Sequence, residues 1–227
     1  MRNSSTNLLL IDTAQETAWV GWSCNGQLQQ QLTNQSQKEH ATFLHPAIAS
    51  LTKASNLTMK DWQAVAVMNG PGSYTGLRVG LSAAKGICYA LDIPLICINT
   101  LEWMAFGNKE GDAPLICPMI DARRSEVFTA IYDQQLTQIL EPQALILNEQ
   151  SFASQLEKEK ILFIGSGSVK WKSMCSHPNA VFNNANHSTH HFATMSQQRY
   201  DAQRFNDLFF SEPDYAKGFY STAKKSH

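Results

Sequence analysis

One glycine-rich segment, residues 70–78 with the sequence GPGSYTGLR, has the composition of an anion-binding loop. An apolar run at residues 65–68 precedes it, and a helical pattern follows. A turn between a strand and a helix presents free backbone N–H groups at the start of the helix, where anions bind. Gly70, Gly72 and Ser73 are therefore candidate contacts for an anion or a nucleotide.

The spacing within this loop matches neither of two common phosphate-binding motifs. Leu77 and Arg78 stand where a Walker loop needs a lysine and a hydroxyl residue. Thr75 stands where the dinucleotide-binding pattern needs its third glycine. A tight turn that brings strand and helix close together is the favoured interpretation, and anion binding is the alternative.

Small residues recur at four-residue intervals along the helix that follows the loop. They are Gly76, Gly80 and Ala84. A stripe of this kind lets another backbone approach closely. Because glycine inside a helix costs about 1 kcal/mol relative to alanine, packing must offset that cost. The packing partner is either another part of this chain or another subunit.

Histidine spacing argues against a metal site on the helix predicted at residues 37–55. Five residues turn a helix by about 500°, so His40 and His45 lie about 140° apart. A second group of possible ligands lacks compact metal-binding pairs, so a solvated loop is favoured and zinc is the alternative. That group is Cys175, His177, His187, His190 and His191.

Two acidic residues end apolar runs. No glycine follows Asp12 closely, which favours a turn-forming role over a catalytic one. Asp121 begins a charged turn with Arg123, Arg124 and Glu126. This turn is either a solvated hairpin with internal ion pairs or a polar contact surface for a partner or a ligand.

The overall composition excludes some classes of protein. The 227 residues carry 18 Lys and Arg against 19 Asp and Glu, a net charge of −1, which argues against a stand-alone nucleic-acid binder. Five cysteines without a C-x-x-C pair indicate reduced, buried thiols. We also expect a cytoplasmic protein without membrane contact, because no signal peptide or spanning apolar segment is recognisable.

The hydrophobic pattern predicts the elements that position these residues. A three-stranded antiparallel meander opens the chain, with a hairpin turn at Asn25 and Gly26. The later order of strand, loop, helix and strand predicts parallel pairing with right-handed crossovers. Pro46 predicts a kink or a late start in the first helix. The final helix is predicted to run to about residue 210.

Four segments resemble the TsaB family, the bacterial accessory subunits of tRNA threonylcarbamoyladenosine synthesis. They are residues 8–13, 40–46, 70–86 and 119–127. The resemblance covers essentially the whole chain and implies an α/β fold. Two RNase H-like lobes of the actin/Hsp70/sugar-kinase (ASKHA) type are expected, with mixed sheets flanked by helices. The polar stretch at 109–114 predicts lobes at residues 1–108 and 109–227, the first carrying the partner-binding helices.

The resemblance implies a non-catalytic role in modifying adenosine 37 of ANN-decoding tRNAs. The chain would pair with a TsaD-type catalytic subunit, be joined by a TsaE-type ATPase, reach tRNA only through the complex, and form a homodimer alone. The catalytic relative holds its metal with a His-x-x-x-His pair, whereas this chain has His40 but Leu44. No metal, catalytic residue or cofactor is therefore expected in the isolated chain. Binding of ATP or ADP at the heterodimer interface is the alternative.

Family members associate through two adjacent helices, which map onto residues 43–51 and 76–84. We therefore expect this face to be exposed on the free monomer. The predicted interface residues are Phe43, Leu44, Ala47, Ile48, Leu51, Gly76, Arg78, Gly80 and Ala84. The alternative function is a stand-alone ATP- or metal-dependent enzyme of the sugar-kinase-like fold. A peptidase is disfavoured, because the H-E-x-x-H zinc motif is absent.

Overall fold

A computed structural model describes residues 5–36 and 39–216. The first five strands are β1 (Asn7–Asp12), β2 (Ala18–Cys24), β3 (Gln27–Asn34), β4 (Ala64–Gly70) and β5 (Leu95–Asn99). The next five are β6 (Leu115–Asp121), β7 (Glu126–Asp133), β8 (Gln138–Ile146), β9 (Ile161–Ile164) and β10 (Ala180–Phe182). The helices are α1 (His40–Ala54), α2 (Tyr74–Leu91), α3 (Thr100–Phe106), α4 (Ala153–Leu156), α5 (Ser168–Lys172) and α6 (Thr189–Asp201).

The strands form two sheets of the same topology. Their orders are β3-β2-β1-β4-β5 and β8-β7-β6-β9-β10. In each, the central strand pairs antiparallel with the strand that follows it and parallel with the next one after a crossover. The predicted pair of RNase H-like lobes is confirmed. The boundary between residues 108 and 109 stays a prediction.

Three apolar clusters hold these layers together. The first lies between the outer face of the first sheet and helices α1 and α2, and includes Leu9, Leu44 and Leu81. The second lies between the two sheets, where α3 and α6 contribute Trp103 and Phe192. The third packs α4 and α5 on the far side of the second sheet. Alternate residues of β1 face different clusters, as the two-residue period of a strand requires.

Several local predictions are confirmed and others are wrong. Asn25 and Gly26 form the hairpin turn, both with positive φ, at 51° and 77°. Helix α1 begins at His40 and continues through Pro46, whose side chain is exposed, while the predicted start at 37–38 lies outside the described residues. Helix α6 ends at Asp201, well before residue 210. Strands β8 and β10 and helix α4 were not predicted.

The chain after α6 returns along the edge of the first sheet. We call residues 202–216 the return segment. The Asn206 N–H donates to the Leu95 carbonyl at 2.8 Å, and the Asp214 N–H donates to the Asn69 carbonyl at 2.7 Å. The Ala216 carbonyl then accepts from the Ala144 N–H on β8, at 2.8 Å. These bonds turn the chain away from a helical path and link the two lobes.

Within the described residues, no helix is long and apolar enough to span a bilayer.

Candidate functional site

The glycine-rich loop after β4 is pressed against other parts of the chain. Gly70 has a φ of 121°, and a Cβ there would lie 2.0 Å from the carbonyl oxygen of Asp214 in the return segment. A Cβ on Gly72 would lie 2.3 Å from the carbonyl oxygen of Ala14. Both glycines therefore permit close approach of the protein's own backbone.

Two of the backbone donors at the start of α2 are satisfied within the protein. The Ser73 N–H donates to the Ala14 carbonyl at 2.6 Å. The Ser73 hydroxyl caps the helix by accepting from the Gly76 N–H at 3.3 Å. This geometry favours the tight-turn interpretation, and anion contact by Gly70, Gly72 and Ser73 stays a prediction.

The stripe of small residues on α2 faces inward. A Cβ on Gly76 would lie 1.9 Å from the Thr13 carbonyl oxygen, and one on Gly80 would lie 2.3 Å from Thr13 Oγ1. Thr13 Oγ1 donates to the Gly76 carbonyl at 2.7 Å. Packing within this chain, at the end of β1, therefore offsets the helix cost of these glycines.

This packing corrects the expected exposure of the interface residues. Phe43 is half-buried and Arg78 is exposed. The other seven are buried in the chain itself: Leu44, Ala47, Ile48, Leu51, Gly76, Gly80 and Ala84. The three-and-four spacing that identified the face is the spacing of any helix packed on its own core. An interface role for the nine residues stays a prediction.

The opposite faces of α1 and α2 remain accessible. We call them the outer layer, which comprises Thr42, Pro46, Ala49 and Lys53 on α1 and Thr75, Val79, Ser82 and Gly86 on α2. Each set follows the four-three-four spacing of one helix face. All are exposed except the half-buried Val79. Apart from its chain neighbours and the backbone of the helix itself, no described atom lies within 4 Å of where a Cβ on Gly86 would stand.

Asp12, at the end of β1, is 1% exposed. Its carboxylate accepts from the Ala14 N–H at 2.8 Å and from Trp19 Nε1 at 3.2 Å. Burial raises the pKa of Asp12 from 3.8 to about 6, although both hydrogen bonds oppose the increase. The carboxylate orders the turn between β1 and β2, consistent with its predicted turn-forming role.

Asp121, at the end of β6, lies in the opposite environment. Its exposed carboxylate forms an ion pair of 2.6 Å with Lys170 on α5. The hydrogen bond from Lys170 lowers the pKa of Asp121. The turn that follows contains Arg123 and Arg124, whose φ values of 71° and 49° are both left-handed. Asp121 is therefore paired with a helix outside the turn, and not with the arginines of the turn as the prediction of internal ion pairs required.

An aromatic cluster at the start of α2 was missed by the sequence analysis. The Tyr74 and Tyr215 rings stack with centroids 4.9 Å apart, and Arg78 Cζ lies 4.1 Å from the Tyr74 ring centroid. Arg78 Nε also donates to the Tyr215 hydroxyl at 2.8 Å. Because 137 residues separate Arg78 from Tyr215, no local pattern could indicate this contact.

The histidines do not assemble a metal site in the part of the chain that is described. No three His, Cys, Asp or Glu side chains there are grouped so that they could hold an ion. His40 is buried, with Nε2 3.1 Å from the Glu16 carbonyl oxygen. His187 packs edge-on against Trp103, and burial lowers its pKa. His190 and His191 lie on α6 rather than in a loop, so the zinc alternative gains no support.

Comparison with known proteins identifies relatives of this chain. Residues 27–202 match the family model described as TsaD, tRNA N6-adenosine threonylcarbamoyltransferase. A protein named tRNA threonylcarbamoyladenosine biosynthesis protein TsaB, from Bacillus subtilis, is 30% identical over 74% of each chain. The Escherichia coli protein of the same name is 32% identical over 56% of this chain and 55% of its own length.

Solved structures agree on the fold. A Pseudomonas aeruginosa protein described as similar to the peptidase YeaZ superposes with a TM-score of 0.76 at 21% identity, covering 93% of this chain and all of that one. The term peptidase describes that protein and is not transferred to this chain, because a structural similarity at this level of identity concerns the architecture alone. The sequence match to the B. subtilis protein shows that the chain belongs to the TsaB family.

Proposed function

We propose that this chain is an accessory subunit in the synthesis of threonylcarbamoyladenosine on tRNA. The relatives from B. subtilis and E. coli carry that pathway in their names. The match to the B. subtilis protein over 74% of each chain is the observation that carries the proposal. The chemistry would belong to a TsaD-type partner, and this chain would complete the assembly.

The outer layer of α1 and α2 is the surface that we propose for the partner. Its small side chains, such as Ala49, Ser82 and the bare Gly86, would allow a partner's helices to approach closely. The layer rests on the buried stripe described above, so it is rigid before binding. In the absence of that partner the same layer would pair two copies of the chain. A TsaE-type ATPase would join the assembled pair.

Two observations support a non-catalytic role. Leu44, which stands where the catalytic relatives would carry a second histidine, is 1% exposed and packs in the core. The N–H groups of Ser73 and Gly76 are engaged by the Ala14 carbonyl and by the Ser73 hydroxyl. We accordingly propose that the isolated chain needs no cofactor, and that any ATP or ADP binds where the two subunits meet.

Co-purification with the TsaD-type subunit of the same cell tests the outer layer. The double variant Ala49→Glu and Ser82→Glu places two charges on the contact without touching the core. We expect at least tenfold weaker binding, about 1.4 kcal/mol, with unchanged thermal stability. Gln31→Glu, which adds one charge to the exposed face of β3, is the control and should bind normally.

Wild-type affinity in the double variant would contradict the proposed surface. The alternative, a stand-alone nucleotide-dependent enzyme, predicts that the isolated chain binds Mg-ATP. Calorimetry with the isolated chain should detect no binding heat. A saturating signal would favour the enzyme, and a tRNA modification assay with and without this chain would then measure its contribution.

A further inference from the structure

The turn between β6 and β7 carries two arginines with no assigned role. The side chains of Arg123 and Arg124 are exposed. Across residues 5–36 and 39–216, neither guanidinium group forms a hydrogen bond or an ion pair. Each therefore keeps its charge and all its N–H donors available for a ligand.

The backbone that carries these arginines is held firmly. The Asp121 carboxylate accepts from the Arg123 N–H at 2.6 Å, and Lys170 Nζ donates to the Arg124 carbonyl at 2.6 Å. The Leu147 N–H donates to the Ser125 carbonyl at 2.8 Å. Two consecutive non-glycine residues with positive φ cost about 1 kcal/mol or more each, so these contacts must maintain the conformation. The backbone that carries these two adjacent arginines is therefore fixed at this turn.

A cavity of about 490 Å³ lies at this turn. Residues 122–126 and Ile146 line it. Asp121 is neutralised by Lys170, so the cavity carries two arginine charges against that of Glu126. Ile146, 65% exposed, adds an apolar wall. Because both arginines and Ile146 face solvent, the cavity is an open contact surface rather than an enclosing pocket.

We propose that this turn binds phosphate groups of an RNA backbone. Guanidinium groups bind phosphate through paired hydrogen bonds, and Ser125 offers an additional hydroxyl donor. Guanidinium planes also stack on unpaired bases, and Ile146 can pack against a ribose or a base. The open shape favours a polymer over a free nucleotide. This inference rests on the proposed function, because tRNA is then the RNA that the assembly must hold.

The inference goes beyond the expectation that tRNA is reached only through other subunits. The net charge of −1 for the whole chain limits non-specific affinity, and so confines the contact to this local cluster. We therefore expect weak, salt-dependent binding by the free chain, at a surface separate from the outer layer of α1 and α2.

Fluorescence anisotropy with a labelled RNA hairpin bearing a single-stranded loop tests this site on the full chain. The double variant Arg123→Gln and Arg124→Gln keeps L-residues at both positions, so the backbone strain is unchanged. We expect about tenfold weaker binding at low salt. The slope of the logarithm of affinity against the logarithm of salt concentration should fall by the equivalent of about one to two phosphate contacts. Arg204→Gln, at an exposed arginine of the return segment, is the matched control and should bind like the wild type.

Equal affinity of the double variant and the wild type would overturn the proposal, as would undetectable hairpin binding by the wild type at low salt. Equal losses in the double variant and in Arg204→Gln would mean general charge attraction, which also overturns it. Inorganic phosphate and ADP serve as competitors. If the double variant lost affinity only for these, the site would bind a small phosphate compound instead. Because no partner subunit is present, failure of complex formation would leave this result unaffected.

Discussion

Asp12 and Asp121 occupy equivalent positions in the two lobes but lie in opposite environments. Each ends the central strand of its sheet, just before an antiparallel neighbour. Asp12 is buried and its pKa is raised to about 6, whereas Asp121 is exposed and its pKa is lowered by Lys170. A shared topology therefore does not dictate the electrostatics at the ends of its strands.

The elements that cover each turn explain this difference. In the first lobe, the glycine loop and α2 press on Thr13 and Ala14, and the Trp19 indole donates to Asp12. In the second lobe, the equivalent loop contains Gly165, with a φ of 89°, and leads into the five-residue helix α5. That short helix contributes Lys170 to the second turn but does not bury Asp121. The first turn is thus part of the core, and the second turn is a surface.

The largest expected effect comes from opening the contact between α2 and the first turn. Gly76→Ala places a Cβ 1.9 Å from a backbone oxygen of Thr13, so helix and strand must separate. We expect the free energy of unfolding to fall by about 3 kcal/mol or more, measured by urea denaturation.

Gly86→Ala on the same helix is the matched control. Its added methyl group meets no described atom outside its own helix within 4 Å, so helix propensity alone should raise the free energy of unfolding by about 0.5 to 1 kcal/mol. Equal effects of the two substitutions would contradict the close packing at Gly76.

The next effect concerns the buried charge of Asp12. Its pKa is about 6 in the folded protein and 3.8 as a model value, so the folded state binds the proton more tightly. Stability from this group is fully present below pH 3.8 and is lost as the pH rises through 6, a change of about 3 kcal/mol. Asp12→Asn removes this loss. The free energy of unfolding of the variant, relative to that of the wild type, should therefore increase from pH 4 to pH 8. Urea denaturation at both pH values measures this change.

Asp121→Asn should show the opposite dependence on pH. Its lowered pKa means that ionised Asp121 stabilises the fold above its unfolded pKa, and this contribution is lost as the pH falls through the folded value. The asparagine variant should be slightly less stable than the wild type at pH 8 and equal at low pH. If the stability of both variants relative to the wild type changed in the same direction with pH, the two turns would not be electrostatic opposites.

The smallest expected effect is that of Lys170→Met. The ion pair with Asp121 is exposed to solvent, so its loss should lower the free energy of unfolding by less than about 1 kcal/mol. The substitution also frees the Arg124 carbonyl, so it should loosen the turn. A thermal unfolding midpoint within a few degrees of the wild type is expected. A larger decrease would mean that the second turn contributes to the core, as the first does.

The local sequence was sufficient to predict most of the strands around the two turns. Asn25 and Gly26 indicated the first hairpin, because both residues tolerate positive φ. Strand β8 escaped prediction because it contains Pro142 and lies at a sheet edge, where the hydrophobic alternation is weak. The early end of α6 escaped as well, since it depends on contacts of the return segment with β5.

The sequence also predicted the candidate surfaces only in part. The spacing of Gly76, Gly80 and Ala84 showed that something approaches α2 closely, but the sequence could not say whether a partner or the chain itself does so. The sequence likewise could not show that Arg123 and Arg124 lack an ion pair among the described residues.

Residue types and their spacing alone predicted a two-lobed α/β architecture, because hydrophobic periodicity and turn chemistry act over a few neighbouring residues. The family followed from the resemblance of four segments to the TsaB family. Only the tertiary structure decided which face of each helix is covered and which charge is neutralised. These outcomes depend on contacts such as Thr13 with Gly76 and Lys170 with Asp121, 63 and 49 residues apart in sequence. The folded chain brings such residues together through packing within each lobe, which no local pattern encodes.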